Sequence, residues 1–231
     1  MRRVLTLAGG AWAGPFAQFV EDNGCSTDPV DPSRSDASRL ERGGFDVVFA
    51  VGHFAEGHSG RAGTVDRRWG EAMCGFVTEG GGLVATRAAT QWFNDWDHWP
   101  AFLGGWRILE ADTDTDTDTD TDTDTDTDAG RDPAGDLDPA PGAVAAVEFA
   151  SRSHPVVAGL APLAGLGTPP ACYRLHDAQP LGHFGRGAVV WSATRGAGRV
   201  VVDTLAYDAD SLTLPANRAI LSRALRWVSE T

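Results

Sequence analysis

Three short apolar runs, each abutting glycine, constrain this chain more than any other feature. Residues 4–8 (VLTLA) lead into Gly9-Gly10, residues 45–51 (FDVVFAV) lead into Gly52, and residues 83–86 (LVAT) follow Gly80-Gly81-Gly82. Runs of aliphatic and β-branched residues with little polar alternation suit strands buried on both faces, which occur in parallel sheets covered by helices. Helical spacing fills the intervals. Phe16, Phe19 and Val20 share a face in residues 15–21, where Pro15 fits a first helical turn, and residues 64–78 align Val65, Trp69, Met73, Phe76 and Val77. Such alternation implies right-handed βαβ units. The expected fold is a three-layer α/β domain with a mostly parallel central sheet.

The remaining text extends this frame. Any second strand near Cys25 must be brief, because residues 26–35 are rich in turn formers. Asp36 can cap a small helix ended by Gly43-Gly44. Residues 106–110 and 143–149 read as two further strands, and residues 188–193 and 198–205 as a hairpin joined through 194–197, giving an antiparallel extension. Residues 215–228 close the chain as an amphipathic helix with Ile220, Leu221, Ala224, Leu225 and Trp227. Residues 112–142 match neither period. Their alternating Asp-Thr text would repel itself in a strand and lacks the glycines and terminal glutamate of calcium-binding loops. They read as a disordered surface insertion within a single domain spanning residues 1–231.

Composition excludes more than it assigns. Nine aspartates lie within residues 112–128, so without them the formal net charge of −13 becomes −4, and no basic stripe points to nucleic acid. All nineteen positive charges are arginine. Without lysine there is no Schiff-base residue, no pyridoxal phosphate anchor and no phosphate-loop lysine, and no cofactor is expected. Cys25, Cys74 and Cys172 form neither a CxxC pair nor a disulfide framework. The first apolar run is too short for a signal peptide, and no segment has the length of a membrane span, so a cytoplasmic protein without a membrane partner is expected.

Five stretches, in order, carry a resemblance. GGGLVATRAAT at residues 80–90 is similar to the glycine-strand-loop motif of ThuA-like (trehalose utilisation) proteins, usually close to GGGLVGLHAAT. LAGGAWAGPF, WPAFLGGWR, SHPVVAGL and the closing GRVVVDTLAYDADSLTLPANRAILSRALRW resemble further family segments, and together they span nearly all of the chain outside the insertion. The resemblance implies a flavodoxin-like sheet similar to class I glutamine amidotransferases. It also implies a role in carbohydrate utilisation, on trehalose or other disaccharides processed through keto-sugars. Some family members resemble metal-dependent proteins that use histidine. Here the loop histidine corresponds to Arg87, the opening loop reads Trp12-Ala13-Gly14-Pro15, and the closing G-H-D corresponds to Ala206-Tyr207-Asp208. These departures leave a second reading open, a non-catalytic descendant that binds a sugar-like ligand or a partner protein.

Candidate residues follow from both lines. Arg87 cannot be a nucleophile, because guanidinium stays protonated, and Cys74 falls on a core helix face, so amidotransferase chemistry is excluded. At the exit of a parallel strand Arg87 either holds a carboxylate, phosphate or sugar hydroxyl, or pairs with Asp208 or another acid to fill an old site. Trp92, Asp97 and His98 lie where rings could stack on sugar faces while carboxylates accept from hydroxyls; alternatively the aromatics pack a helix on the sheet. Tyr173 and Arg174, in ACYRLHD, resemble a family segment and are pocket-wall candidates, and Tyr207 and Asp208 complete the expected ligand set. His53 and His58 flank Glu56, a spacing that matches no established zinc motif and suits a weak metal site at most. No metal is expected in the elbow. His154 is expected to order its own turn before Pro155.

Overall fold

In the computed structural model the strands are β1 (Arg3–Leu7), β2 (Ser26–Val30), β3 (Val47–Ala50), β4 (Gly82–Thr86), β5 (Gly105–Arg107) and β6 (Ala146–Phe149). They continue as β7 (Leu163–Ala164), β8 (Tyr173–Leu175), β9 (Gln179–Phe184), β10 (Gly187–Arg195) and β11 (Gly198–Asp203). The structure describes residues 1–52, 65–93, 95–108, 146–150, 153–164 and 170–230. All eleven strands join one sheet in the order β2-β1-β3-β4-β11-β10-β9-β6-β7, with β5 and β8 paired beside β10. The first five in that order are mutually parallel, and every pairing beyond β11 is antiparallel. This is the expected mostly parallel centre with an antiparallel extension.

Period-2 alternation divides the core between two faces. Val47, Phe49, Val84 and Val201 pack on one side, with α1 (Ala13–Asp22) and α5 (Pro215–Val228). Val48, Ala50, Leu83, Ala85, Val200 and Val202 pack on the other, with α2 (Ser38–Glu41), α3 (Arg67–Thr78) and α4 (His98–Leu103). The central strands β3 and β4 are buried at every position because both faces are covered. Three layers result.

Local chemistry sets the element ends. Asp66 accepts the Arg68 amide at 2.9 Å and starts α3 at Arg67, later than the apolar period alone suggests. Asp36 does the same for the Ser38 amide before α2. In β2, Pro29 has no amide to donate, which an outermost strand tolerates. The β10–β11 pairing extends to Arg195 opposite Gly198, so the hairpin loop is only Gly196-Ala197, opened by Gly196 at φ 60°. A side chain on Gly196 would also collide with the Thr78 carbonyl. Residues 109–110 and 143–145, at the ends of the two expected flanking strands, and the expected insertion at 112–142 lie outside the described residues. Among the described residues no helix is long and apolar enough to cross a membrane.

Candidate functional site

The parallel strands deliver their C-terminal ends to one edge of the sheet, where open α/β sheets bind ligands. There the chain leaves β1 at Gly9-Gly10, β3 at Gly52, β4 at Arg87 and β11 at Thr204. The order β2-β1-β3-β4-β11 has its switch point between β1 and β3. Two tryptophans reach Gly52 there. A Cβ on Gly52 would lie 3.2 Å from the Trp12 Cβ, and the Trp92 indole donates to the Gly52 carbonyl at 3.3 Å. At β4 the Arg87 amide donates to the Ala206 carbonyl at 3.4 Å, tying the elbow to the chain just before Tyr207.

Beside this edge lies a cleft of about 350 Å³, walled by Thr90, Asp97, Trp106, Arg107 and Tyr173, among others. Its walls are held from behind. The α4 helix stops at Gly104, at φ 87°, and its last carbonyls receive the Trp191 indole (to Leu103, 2.7 Å) and the Arg195 guanidinium (to Phe102, 2.7 Å). The Trp99 indole donates to the Ala89 carbonyl at 2.9 Å, pinning α4 to the loop after β4. On the opposite wall Tyr173 is buried against Trp191, with ring centroids 5.0 Å apart. Its hydroxyl lies 2.6 Å from the Thr90 hydroxyl, which donates to the Arg87 carbonyl at 2.7 Å. Elbow and cleft thus share one hydrogen-bonded chain.

Burial pushes the Tyr173 phenol above the ordinary tyrosine range, although the Thr90 hydrogen bond and the Arg107 and Arg87 charges oppose the shift. The phenol therefore stays protonated at neutral pH. Because the Thr90 hydroxyl proton goes to Arg87, the phenol proton goes to Thr90 or to a ligand atom. Trp106 is 41% exposed and offers an indole face, while Asp97 offers acceptor oxygens. Chemically the cleft provides one apolar ring, one carboxylate, hydroxyl donors and a guanidinium.

The structure distributes the sequence candidates unevenly. Asp97 and Tyr173 meet in the cleft, and Arg87 is joined to it through Thr90. Trp92 turns to Gly52 instead. His98 lies against Trp96 and Phe102, at 5.1 and 6.2 Å between ring centroids. Phe93 and Trp99 are core residues, so the aromatic run mainly packs α4 onto the sheet. Tyr207 is 36% exposed beyond β11, and the Asp208 carboxylate accepts the Ser211 amide at 2.7 Å, capping the following turn. Among the described residues no acid pairs with Arg87, Asp208 included. His154 accepts the Val156 amide on Nδ1 and packs on Trp227, ordering its own turn. Trp106 and Arg107 escaped the sequence reading because only the β5–β8 pairing brings Arg107 opposite Tyr173 and Trp106 opposite Arg174.

A histidine-ligated metal does not fit this edge as far as it is described. The elbow presents a guanidinium, the opening loop Trp12 and Ala13, and the closing loop Tyr207; His53, Glu56 and His58 lie outside the described residues. At about 4 Å and an effective dielectric near 20, a guanidinium repels each unit of metal charge by about 4 kcal/mol. Elemental analysis of untagged protein is expected to find well under one transition metal per chain. About one zinc, lost on changing Tyr207 or Asp208 but not His53, would contradict this.

Strand order and helix placement define a class I glutamine amidotransferase-like α/β fold with an antiparallel extension. No protein-family model matches the sequence, and no curated protein does; the likeness lies in the structure. A protein from Bacteroides uniformis described as ThuA-like superposes with a TM-score of 0.57 at 16% identity, covering 98% of this chain and 91% of that one. A glutamine amidotransferase from Thermotoga maritima gives 0.57 at 11% identity over 100% and 99% of the two chains. A cytoplasmic protein from Salmonella typhimurium gives 0.56 at 13% over 99% of each.

Proposed function

We propose that this protein is a ThuA-like protein of carbohydrate utilisation, and that it binds a sugar, derived from trehalose or another disaccharide or a keto-sugar, in the Trp106–Tyr173 cleft. The observation that carries the reading is the cleft itself: an exposed indole and a buried phenol both line it, with Asp97 and Thr90. Sugars are bound by just this mix, the ring covering C–H faces and a few polar groups fixing hydroxyls. Fold likeness to ThuA-like proteins supports the same reading, and likeness to a cytoplasmic protein supports a cytoplasmic location. The Tyr173 phenol is suited to donate to a ring or carbonyl oxygen. Arg87 and Tyr207, on the loops after β4 and β11, are proposed to meet the part of a larger sugar that extends over the sheet edge. The described surface gives no reason to propose a nucleic-acid or membrane partner, and residues 112–142 are proposed as an insertion in a single domain.

A thermal-shift panel of monosaccharides, disaccharides and 3-keto-disaccharides tests the proposal. At least one sugar is expected to raise the melting temperature saturably. Trp106→Ala is expected to weaken that sugar at least about tenfold, in line with the loss of a stacking face. Turnover of the keto-disaccharides by pure protein separates an enzyme from a binding protein. A panel with no sugar response in the intact protein would contradict the proposal.

A further inference from the structure

The charge around Tyr173 narrows the ligand further. Arg107 lies directly opposite Tyr173 in the antiparallel β5–β8 pair, and residues so paired project from the same face of a sheet. On the other side, the Tyr173 hydroxyl contacts Thr90, which bonds to the Arg87 carbonyl. The charges of both Arg107 and Arg87 act on this one phenol. Neither guanidinium pairs with an acid among the described residues. Among the described residues Asp97 is the one acid lining the cleft, and it is exposed and forms no ion pair there.

Guanidinium is weakly hydrated and presents a planar fork matched to a carboxylate. We infer that the sugar taken by this cleft carries a carboxylate, as a uronic or aldonic acid does. Arg107, with Arg87 beyond Tyr173, would receive the acid group, Trp106 the ring face and Asp97 the hydroxyls. A phosphate ester fits less well, because its second negative charge would face Asp97. This rests on the reading of the cleft as a sugar site and adds the charge of the ligand to it.

The test is calorimetric titration of the full-length protein with glucose, glucuronate and glucose 6-phosphate at low and high salt, for the parent chain and for Arg107→Gln. Arg107 is exposed, so its replacement leaves the fold intact, and a thermal scan verifies that. The expected result is glucuronate bound about 10-fold or more tighter than glucose at low salt, a preference that shrinks with salt. Arg107→Gln should abolish most of the preference for glucuronate over glucose. Equal binding of glucose and glucuronate, stronger binding of glucose 6-phosphate, or a preference unchanged in Arg107→Gln would overturn the acid-sugar inference and leave the sugar site standing. Failure of all three ligands together with a silent neutral-sugar panel would overturn both.

Discussion

Trp191→Ala is expected to remove about 4 kcal/mol of folding stability and to abolish ligand binding at the cleft. Trp191 is fully buried in the longest strand of the extension, and it does three things at once. Its ring packs on Tyr173, its indole edge lies within 3.1 Å of where a Gly105 side chain would begin, and its Nε1 donates to the last carbonyl of α4. Truncation leaves a cavity of indole size under the cleft and an unpaired carbonyl at Leu103. Large aromatic-to-alanine changes alone cost about 3–5 kcal/mol, and an orphaned buried carbonyl adds about 1–3 if water does not reach it. Domains have only about 5–15 kcal/mol in hand, so the variant sits near its limit. Trp191→Phe restores most of the packing but not the donor and should lose about 1–3 kcal/mol. Urea unfolding measures both: the midpoint should fall with little change in slope. A loss under about 1 kcal/mol for Trp191→Ala would show that Trp191 does not hold the cleft walls.

Asp203 predicts a pH dependence of similar size. It is the last residue of β11, fully buried, and burial pushes its carboxyl up to about 7 from an ordinary 3.8 despite amide donation from Leu205 and Ala206. Its Oδ2 has no partner among the described residues, nor has Oδ1 of Asn217, whose Nδ2 donates to the Leu205 carbonyl at 3.0 Å. The native state therefore holds a proton that the unfolded chain releases above about pH 4. Where the folded state binds more protons, stability falls as pH rises. The contribution is fully present below the unfolded pKa, declines from about pH 4 to about pH 7, and is lost above that. A shift near three units corresponds to roughly 4 kcal/mol. Asp203→Asn keeps the acceptor for Leu205 and cannot ionise. It should exceed the parent in stability by a few kcal/mol at pH 8 and match it near pH 4. A difference between the two that does not vary with pH would refute this account of Asp203.

What the sequence revealed follows from range of interaction. Residues 4–8, 45–51 and 83–86 announce their strands because each is apolar on both faces, and residues 215–228 announce a helix because one face is apolar. Those signals are local. The second strand is obscured by Asp28 and Pro29, residues a central strand would reject and an edge strand accepts. Strand β9 carries Pro180 and Gly182, and its register with β10 shifts between Ala188 and Trp191, so no period-2 pattern survives to be read. The cleft suffers most. Arg107 and Tyr173 are opposed only through pairing across a long intervening stretch, and nothing within six residues of either announces the other. Aromatic density at residues 92–99 suggested a pocket there, but Phe93 and Trp99 went to the core, and the exposed ring came from Trp106. Asp203 reads as a strand end near a turn; only the packing of α5 over it makes it a buried acid.

The central claim is that ligand occupies the cleft lined by Trp106 and Tyr173. The chain has eight tryptophans, and each indole N–H gives its own proton–nitrogen resonance, which makes the location directly observable. During titration with the sugar that gives the largest thermal shift, the Trp106 indole resonance, assigned by its loss in Trp106→Phe, should move saturably at the calorimetric affinity. The Trp227 indole, which packs on His154 away from the cleft, should stay fixed. Saturable movement of other indoles with Trp106 unmoved would contradict the account.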